Sequence, residues 1–308
     1  MVINIVVNPN GASGKAWSLW EELEPVIKKK GCEYRVHRST PHESIKGICS
    51  RISGRGEKSA VIVIGGDGSV NEAVNGISDF ENTLFGFVPC GTGSDIGRDM
   101  DLPSGKKQLF AEMLDCKVKR TSDVGELTFF EGGKKIIRRF NVSSDMGFGA
   151  ATCEYVNRSG FKSILNRIGL GKLIYLIGAV KVCYSSEPAT LYITDRKGTR
   201  CYKKCLCAIV MNHTCEGGGF AFCPDADIDD GLLDVCVGSG ISKLAFLGVL
   251  PKAYMGKHTG SKGIFMDRTD RVIIRSDTLC WVHTDGEVIG RTNKVYMRIL
   301  PEKLRLLL

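Results

Sequence analysis

Along the first 125 residues, short apolar runs alternate with stretches of helical spacing. Val2–Val7 is an apolar run, and Lys15–Lys30 places Trp17, Trp20, Leu23, Val26 and Ile27 at helical intervals. Glu33–His37 reads as a weak strand, and Glu43–Ile52 as a helix with Ile45, Ile48 and Ile52 on one stripe. Ala60–Ile64 is continuously apolar, Ser69–Ile77 is helical, Leu84–Val88 is a strand and Lys106–Leu114 a helix, with Val118–Val124 closing the series. Strands that are apolar on both faces and alternate with helices predict a parallel sheet covered on both sides.

The rhythm changes at Gly125. Glu126–Glu131 and Ile136–Val142 flank Gly132-Gly133, the pattern of two strands around a tight turn. Further strands are predicted at Thr190–Asp195, Cys201–Met211, Leu232–Val237, Arg271–Arg275 and Leu279–His283, with helices at Leu173–Cys183 and Lys243–Tyr254. The chain therefore reads as α/β: a three-layer parallel-sheet domain over residues 1–125, then a mainly antiparallel β-sandwich domain over 126–294. Leu304–Leu308 is predicted to form a last strand within a segment, 295–308, that returns to the first domain.

Composition narrows the function classes. The 308 residues carry 42 Lys and Arg against 34 Asp and Glu, a net charge of +8. The basic residues are dispersed and not interleaved with aromatics, so a nucleic-acid partner is not expected. The 13 cysteines are an odd number and too few for a disulfide scaffold. The N-terminal run has no signal-peptide character, and a reducing cytoplasm is the expected compartment. Cys201, Cys205, Cys207, His213 and Cys215 lack the paired spacing of a structural zinc site. Cys205 and Cys207 read as buried strand residues, Cys90 as packing, and no role is assigned to His213, His258 or His283.

Three loops carry candidate chemistry. Gly65-Gly66-Asp67-Gly68-Ser69 follows the Ala60–Ile64 strand and opens a helix with Val70-Asn71-Glu72. Glycine lets a phosphate approach the backbone closely, and a helix N-terminus offers N–H groups and a positive dipole end. Asn8-Pro9-Asn10-Gly11-Ala12-Ser13-Gly14-Lys15 and Pro89-Cys90-Gly91-Thr92-Gly93-Ser94-Asp95 also follow strands. Each loop alone is accounted for by a turn and a helix cap. Three such loops at the carboxyl edge of one parallel sheet form a donor-rich rim suited to a polyphosphate. None matches G-x-x-x-x-G-K-[ST].

With Asp285-Gly286-Glu287, Gly217-Gly218-Gly219-Phe220, Pro224-Asp225-Ala226 and Asp229-Asp230-Gly231-Leu232-Leu233-Asp234, these loops resemble the diacylglycerol kinase catalytic-domain family, in particular its bacterial soluble lipid kinases, relatives of the sphingosine kinases. The resemblance spans almost the whole chain and implies a NAD kinase-like fold in the first domain. It implies an ATP- and Mg²⁺-dependent kinase that phosphorylates the hydroxyl of a lipid alcohol such as diacylglycerol. It also implies the roles. Asn8, Ser13, Gly14, Thr40, Gly65, Gly66, Asp67, Gly68, Ser69, Asn71, Glu72, Gly91, Thr92 and Asp95 would form the ATP site. Asp67, Asp95 and Asp123 would hold Mg²⁺. Asp230, with the carbonyls of Asp227 and Leu232, would hold a second, structural Mg²⁺. Glu287 would be the general base, near Asp285. Ser94 stands where the family usually has Asn, and the first loop is one residue longer than the commonest form.

The chemistry is consistent with these residue types. Phosphoryl transfer needs a divalent ion against phosphate charge, backbone donors that position it, and a carboxylate to accept the hydroxyl proton. Taken alone, Asp285 and Glu287 would read as a solvated hairpin turn and Asp225–Asp230 as a charged surface loop. The stretch Phe161–Lys181 mixes Lys162, Arg167, Lys172 and Lys181 with aliphatic residues. It reads equally as a core helix and as a basic amphipathic helix in reversible contact with an anionic membrane surface. Two other functions stay open: NAD kinase-like phosphorylation of a soluble nucleotide, and non-catalytic binding of nucleotide or lipid. A homodimer is also left open.

Overall fold

The computed structural model describes residues 1–9, 11–90, 94–100, 102–158 and 171–308. It divides into two units, one made of Met1–Val124 with Leu300–Leu308, the other of Gly125–Ile299.

Unit 1 holds a six-stranded sheet. Its strands are β1 (Ile3–Val7), β2 (Tyr34–Arg38), β3 (Ser59–Gly65), β4 (Thr83–Pro89), β5 (Arg120–Ser122) and, from the C-terminal segment, β15 (Leu304–Leu306). The order is β2-β1-β3-β4-β15-β5. All pairings are parallel except β15 with β5. Two helices, α1 (Lys15–Lys30) and α4 (Lys106–Met113), cover one face. Leu19, Trp20, Leu23 and Ile27 of α1 and Leu109, Phe110 and Met113 of α4 join Ile3, Ile5, Val7, Ile62, Ile64 and Leu307 in one buried cluster. Helices α2 (Ile45–Ser53) and α3 (Asp67–Gly76) pack on each other, α2 also on β1 and β3 and α3 on β3. Ser44 caps α2 by accepting the Gly47 N–H, so that helix starts two residues later than its apolar spacing alone predicts.

Unit 2 is a nine-stranded antiparallel assembly. Its strands are β6 (Gly125–Glu131), β7 (Lys134–Phe140), β8 (Ser143–Gly147), β9 (Ala189–Asp195), β10 (Gly198–Met211), β11 (Leu233–Ser239), β12 (Ile264–Thr269), β13 (Arg271–Thr284) and β14 (Glu287–Ile299). The order is β12-β11-β10-β8-β13-β14-β6-β7, with β9 pairing to β10 and β13. Two long strands make the sandwich. The first part of β10 pairs with β9, and its last part with β8 and β11, with bulges between Tyr202 and Cys207. In the same way β13 pairs first with β9 and then with β8, and its register against β14 shifts between Arg275 and Cys280. That irregularity explains why the sequence reads as two strands, 271–275 and 279–283, where one continuous strand bends. Among the described residues three helices complete the unit: α5 (Phe148–Arg158), α6 (Gly171–Ser185) and α7 (Lys243–Tyr254).

The returning segment is shorter than 295–308. Val295–Ile299 belongs to β14 and pairs with β6, so only the chain from Leu300 onward crosses into unit 1. The ten N-terminal residues of the predicted stretch Phe161–Lys181 lie outside the described residues.

Candidate active site

Because β1, β3 and β4 are neighbours and parallel, their three following loops emerge at one edge of the sheet. Side chains tie these loops together. Asn8 Nδ2, after β1, donates to Ser69 Oγ at 3.5 Å. Asp67, after β3, accepts from Ser94 Oγ at 2.5 Å and from the Asp95 N–H at 3.0 Å, both in the loop after β4. The Cys90 N–H also donates to the Gly65 carbonyl at 2.9 Å. Ser94 thus uses its hydroxyl as a donor to Asp67, and it accepts the Gly97 N–H at 3.3 Å.

The glycines divide into two kinds. A Cβ on Gly65 would lie 2.5 Å from Ser69 Oγ, so Gly65 is required by packing inside the loop. A Cβ on Gly66 or Gly68 would meet nothing within 4 Å. Those two positions leave open space beside the first turn of α3, the arrangement a phosphate oxygen needs to approach a helix N-terminus. Gly14 adopts a left-handed φ of 89° as the N-cap of α1. Thr40 follows β2, where the Ser39 N–H bonds to the Val7 carbonyl, and so lies at the same edge. Its Oγ1 accepts the His42 and Glu43 N–H groups. Asn71 is buried in α3, where its carbonyl and Oδ1 accept from Asn75 Nδ2. Glu72 lies half-buried in the same helix. Gly91, Thr92 and the side chain of Ser13 lie outside the described residues.

The carboxylates expected to hold metal separate into different environments. Asp67 and Asp95 are adjacent, and Asp95 pairs with Arg98 at 3.1 Å. Two neighbouring carboxylates suit Mg²⁺, which takes one or two carboxylates and completes its shell with water and phosphate. Asp123 is different. It is fully buried, and Lys303 Nζ lies 3.0 Å from its Oδ1. Lys303 belongs to the returning segment, so this pair closes unit 1. Lys303 thus pairs with the residue at which the resemblance implies a metal.

The acidic loop at 225–234 also carries a protein cation. Arg268, on β12, lies 2.8 Å from Asp230 Oδ2, 3.0 Å from Asp234 Oδ1 and 3.2 Å from the Asp225 carbonyl. Asp230 Oδ1 accepts the Leu232 N–H at 2.9 Å, and Asp227 Oδ1 the Asp229 N–H at 3.1 Å. The guanidinium thus meets part of the charge of the loop at which the resemblance implies a second Mg²⁺. Burial still pushes the Asp234 carboxyl up to about 6 against the opposing pull of Arg268.

In unit 2, β13 and β14 are joined by a two-residue turn, Asp285-Gly286, with φ of 48° and 78°. Both values are left-handed, as a type I′ hairpin turn requires. The Asp285 carboxylate is fully engaged: it accepts the backbone N–H groups of Asn141 (2.9 Å), Val142 (2.9 Å) and Ser143 (3.0 Å). The Asp285 N–H returns a bond to the Ser143 carbonyl at 2.9 Å. This residue is a clamp on the chain that leads into β8, rather than a side chain in a solvated turn. Glu287, the first residue of β14, is exposed.

Sequence reasoning missed several residues around these sites. Lys106 Nζ donates to the Cys90 carbonyl at the end of β4. Glu216 accepts the Ser143 hydroxyl. Neither residue sits in a motif; the fold brings each to its partner. None of the 13 cysteines is in a disulfide, and burial pushes the thiols of Cys205, Cys207, Cys223 and Cys236 upward, away from reactivity. Among the described residues no group of three or more His, Cys, Asp or Glu side chains is placed to hold a metal ion.

Comparison with known proteins assigns the architecture. Residues 3–127 match the diacylglycerol kinase catalytic domain, and residues 143–308 match the YegS C-terminal NAD kinase beta sandwich-like domain. The chain belongs to the diacylglycerol kinase family. It is a lipid kinase of the diacylglycerol kinase type. It is 26% identical over 295 residues to a Bacillus subtilis protein provisionally named lipid kinase YtlR, covering 93% of each chain. It is 26% identical over 232 residues to a Bacillus subtilis diacylglycerol kinase, covering 75% of this chain and 71% of that one. In fold it is similar to a provisionally titled diacylglycerol kinase of Bacillus anthracis, with a TM-score of 0.74 at 22% identity, over 97% of this chain and 94% of that one. The yeast NADH kinase shares the fold at a TM-score of 0.56 and 10% identity, over 98% of this chain and 81% of that one. The expected NAD kinase-like parallel-sheet domain and antiparallel sandwich are therefore present.

Proposed function

We propose that this kinase transfers the γ-phosphate of ATP, with Mg²⁺, to the hydroxyl of a lipid alcohol such as diacylglycerol. The observation that carries the reading is the linkage of the three loops of unit 1 through Asn8–Ser69 and Asp67–Ser94–Asp95. That linkage fixes backbone donors and two carboxylates around the open space beside Gly66 and Gly68. Mg²⁺, when bound, offsets the charge of the phosphates. Asp67 and Asp95 are the residues that would hold it. Glu287 accepts the proton of the lipid hydroxyl, an alcohol too weak an acid to react without a base in hydrogen-bond reach. Lys106 adds a cation beside the third loop.

The lipid is reached by reversible contact with an anionic membrane surface from the cytoplasm. No helix among the described residues is long and apolar enough to cross a membrane. Helices α6 and α7 expose Ile177, Val180, Tyr184 and Leu244. Lys181 is exposed on α6, and Lys243 Nζ bonds to the Tyr184 carbonyl. An apolar surface next to basic residues suits the headgroup boundary of an anionic bilayer.

The deciding experiment incubates the protein with γ-labelled ATP, Mg²⁺ and a panel of diacylglycerol, sphingosine, phosphatidylglycerol and NAD. Label in a lipid, lost in Asp67→Asn and Glu287→Gln, is the expected result. Label in NAD alone overturns the reading. Vesicle sedimentation at low and high salt tests the membrane contact; equal and negligible binding at both would remove it.

A further inference from the structure

His283 is buried at the end of β13, 2% exposed, two residues before the turn that delivers Glu287. Both ring nitrogens face specific groups. Nδ1 accepts the Gly286 N–H at 3.2 Å, and Nε2 lies 3.9 Å from Glu216 Oε2. In a two-residue hairpin the ladder bonds are made by the residues flanking the turn, so the N–H of the second turn residue has no partner within the hairpin. His283 supplies that partner. A ring nitrogen that accepts carries no proton, so the neutral ring is protonated on Nε2, the side that faces the Glu216 carboxylate.

The contacts close on themselves. Glu216 Oε2 accepts the Ser143 hydroxyl. The Ser143 N–H donates to Asp285 Oδ1. Asp285 and Gly286 form the turn, and Gly286 returns to His283. The His283 carbonyl is fixed as well, accepting Ser144 Oγ at 2.8 Å. A histidine merely filling the core would account for the burial, but not for a ring that bonds the turn on one edge and faces the part-buried Glu216 carboxylate with the other. Burial also pulls the ring down to about 4, which keeps it neutral at ordinary pH.

We propose that His283, with Glu216 behind it, is a positioning residue: it fixes the Gly286 peptide and thereby the direction in which Glu287 leaves the turn. The proposal rests on Glu287 being the proton acceptor. Side-chain displacements of about 1 Å can cost about 100-fold in rate without touching substrate binding.

The test uses the whole 308-residue chain and four variants of it. His283→Phe removes the acceptor, His283→Asn keeps an oxygen near the position of Nδ1, Glu287→Gln removes the base, and the fourth combines His283→Phe with Glu287→Gln. His283→Phe is expected to lower kcat about 10–100-fold with KM for ATP changed less than about twofold. His283→Asn should recover most of that loss, and the double variant should be no slower than Glu287→Gln. An active Glu287→Gln enzyme defeats the base assignment itself and is distinct from an active His283→Phe enzyme, which defeats only the positioning role. Should His283→Phe not fold, two measurements on the unaltered protein decide. Two-bond proton–nitrogen correlation must show the Nε2–H tautomer, and the Gly286 amide must be protected from hydrogen exchange. An Nδ1–H ring or a fast-exchanging Gly286 amide overturns the proposal.

Discussion

Replacing Asp285 by Asn changes almost no volume, yet the clamp geometry predicts a large loss. Oδ1 accepts two backbone N–H groups, from Val142 and Ser143, and Oδ2 accepts one, from Asn141. An asparagine can keep the first two with its oxygen. Its amide group must then face the Asn141 N–H, donor against donor. One charge-assisted bond is lost, contributing about 1.5–3 kcal/mol, and the two that remain fall to the neutral range of about 0.5–1.5 kcal/mol each. The sum is about 3.5–6 kcal/mol, a large share of the roughly 5–15 kcal/mol that holds a folded protein together. Urea unfolding followed by hydrogen-exchange mass spectrometry, on peptides covering 140–147 and 279–290, reads this loss where it arises. A change below about 1 kcal/mol would show that water replaces the carboxylate at no cost, and the clamp argument would fail.

Gly65→Ala should push Ser69 away from Asn8, because the new Cβ meets Ser69 Oγ at 2.5 Å; the overpacking costs about 1–3 kcal/mol, and calorimetric titration with ATP and Mg²⁺ should show weakened binding. Lys303→Met removes the ammonium beside the buried Asp123 carboxylate, so a loss of about 1–3 kcal/mol is expected in denaturant melts, and adding Asp123→Asn should restore most of it. Asp145 is fully buried in β8, accepts the Ala150 N–H at 2.7 Å, and burial pushes it up to about 7. It therefore stays protonated in the fold up to near neutrality, while in the unfolded chain it ionises near 4. Its contribution to stability is full below about pH 4 and is lost as pH rises to about 7. His283 acts in the opposite sense: it loses its contribution as pH falls from about 6.5 to about 4. Asp145→Asn removes the first effect alone, so its melting temperature relative to the parent should rise between pH 5 and pH 8; a constant difference would refute the assignment.

What was legible in the sequence follows from how each feature is encoded. The three loops of unit 1 announce themselves because glycine, hydroxyl and carboxylate residues follow unbroken apolar strands, and periodicity then places them at one edge. The strand β8 is silent by the same measure. Ser143, Ser144 and Asp145 are polar, yet all three are buried, held by bonds to Glu216, the His283 carbonyl and the Ala150 N–H. Hydrophobic pattern cannot report a strand that is buried through hydrogen bonds. The fold also brings Lys303 and Arg268 from distant positions to Asp123 and Asp230, the carboxylates at which the family resemblance implies a metal. No local spacing encodes such pairs. Asp285 and Glu287 were legible as a turn with carboxylates; the division of labour between them rests on backbone donors at 141–143 that only the folded chain supplies.

The strand β15 sits between β4 and β5, although it is made more than 200 residues after β4. At a synthesis rate of about 5–20 residues per second, β4 waits roughly 10–40 s on the ribosome with one edge uncovered. During that interval the emerging chain exposes a ready template for pairing with the wrong strand. Unit 2 is complete before unit 1 can be, so the N-terminal half of this enzyme is the last to finish folding. Conditions that slow translation or deplete chaperones should therefore harm the nucleotide half first, whatever the stability of the finished protein.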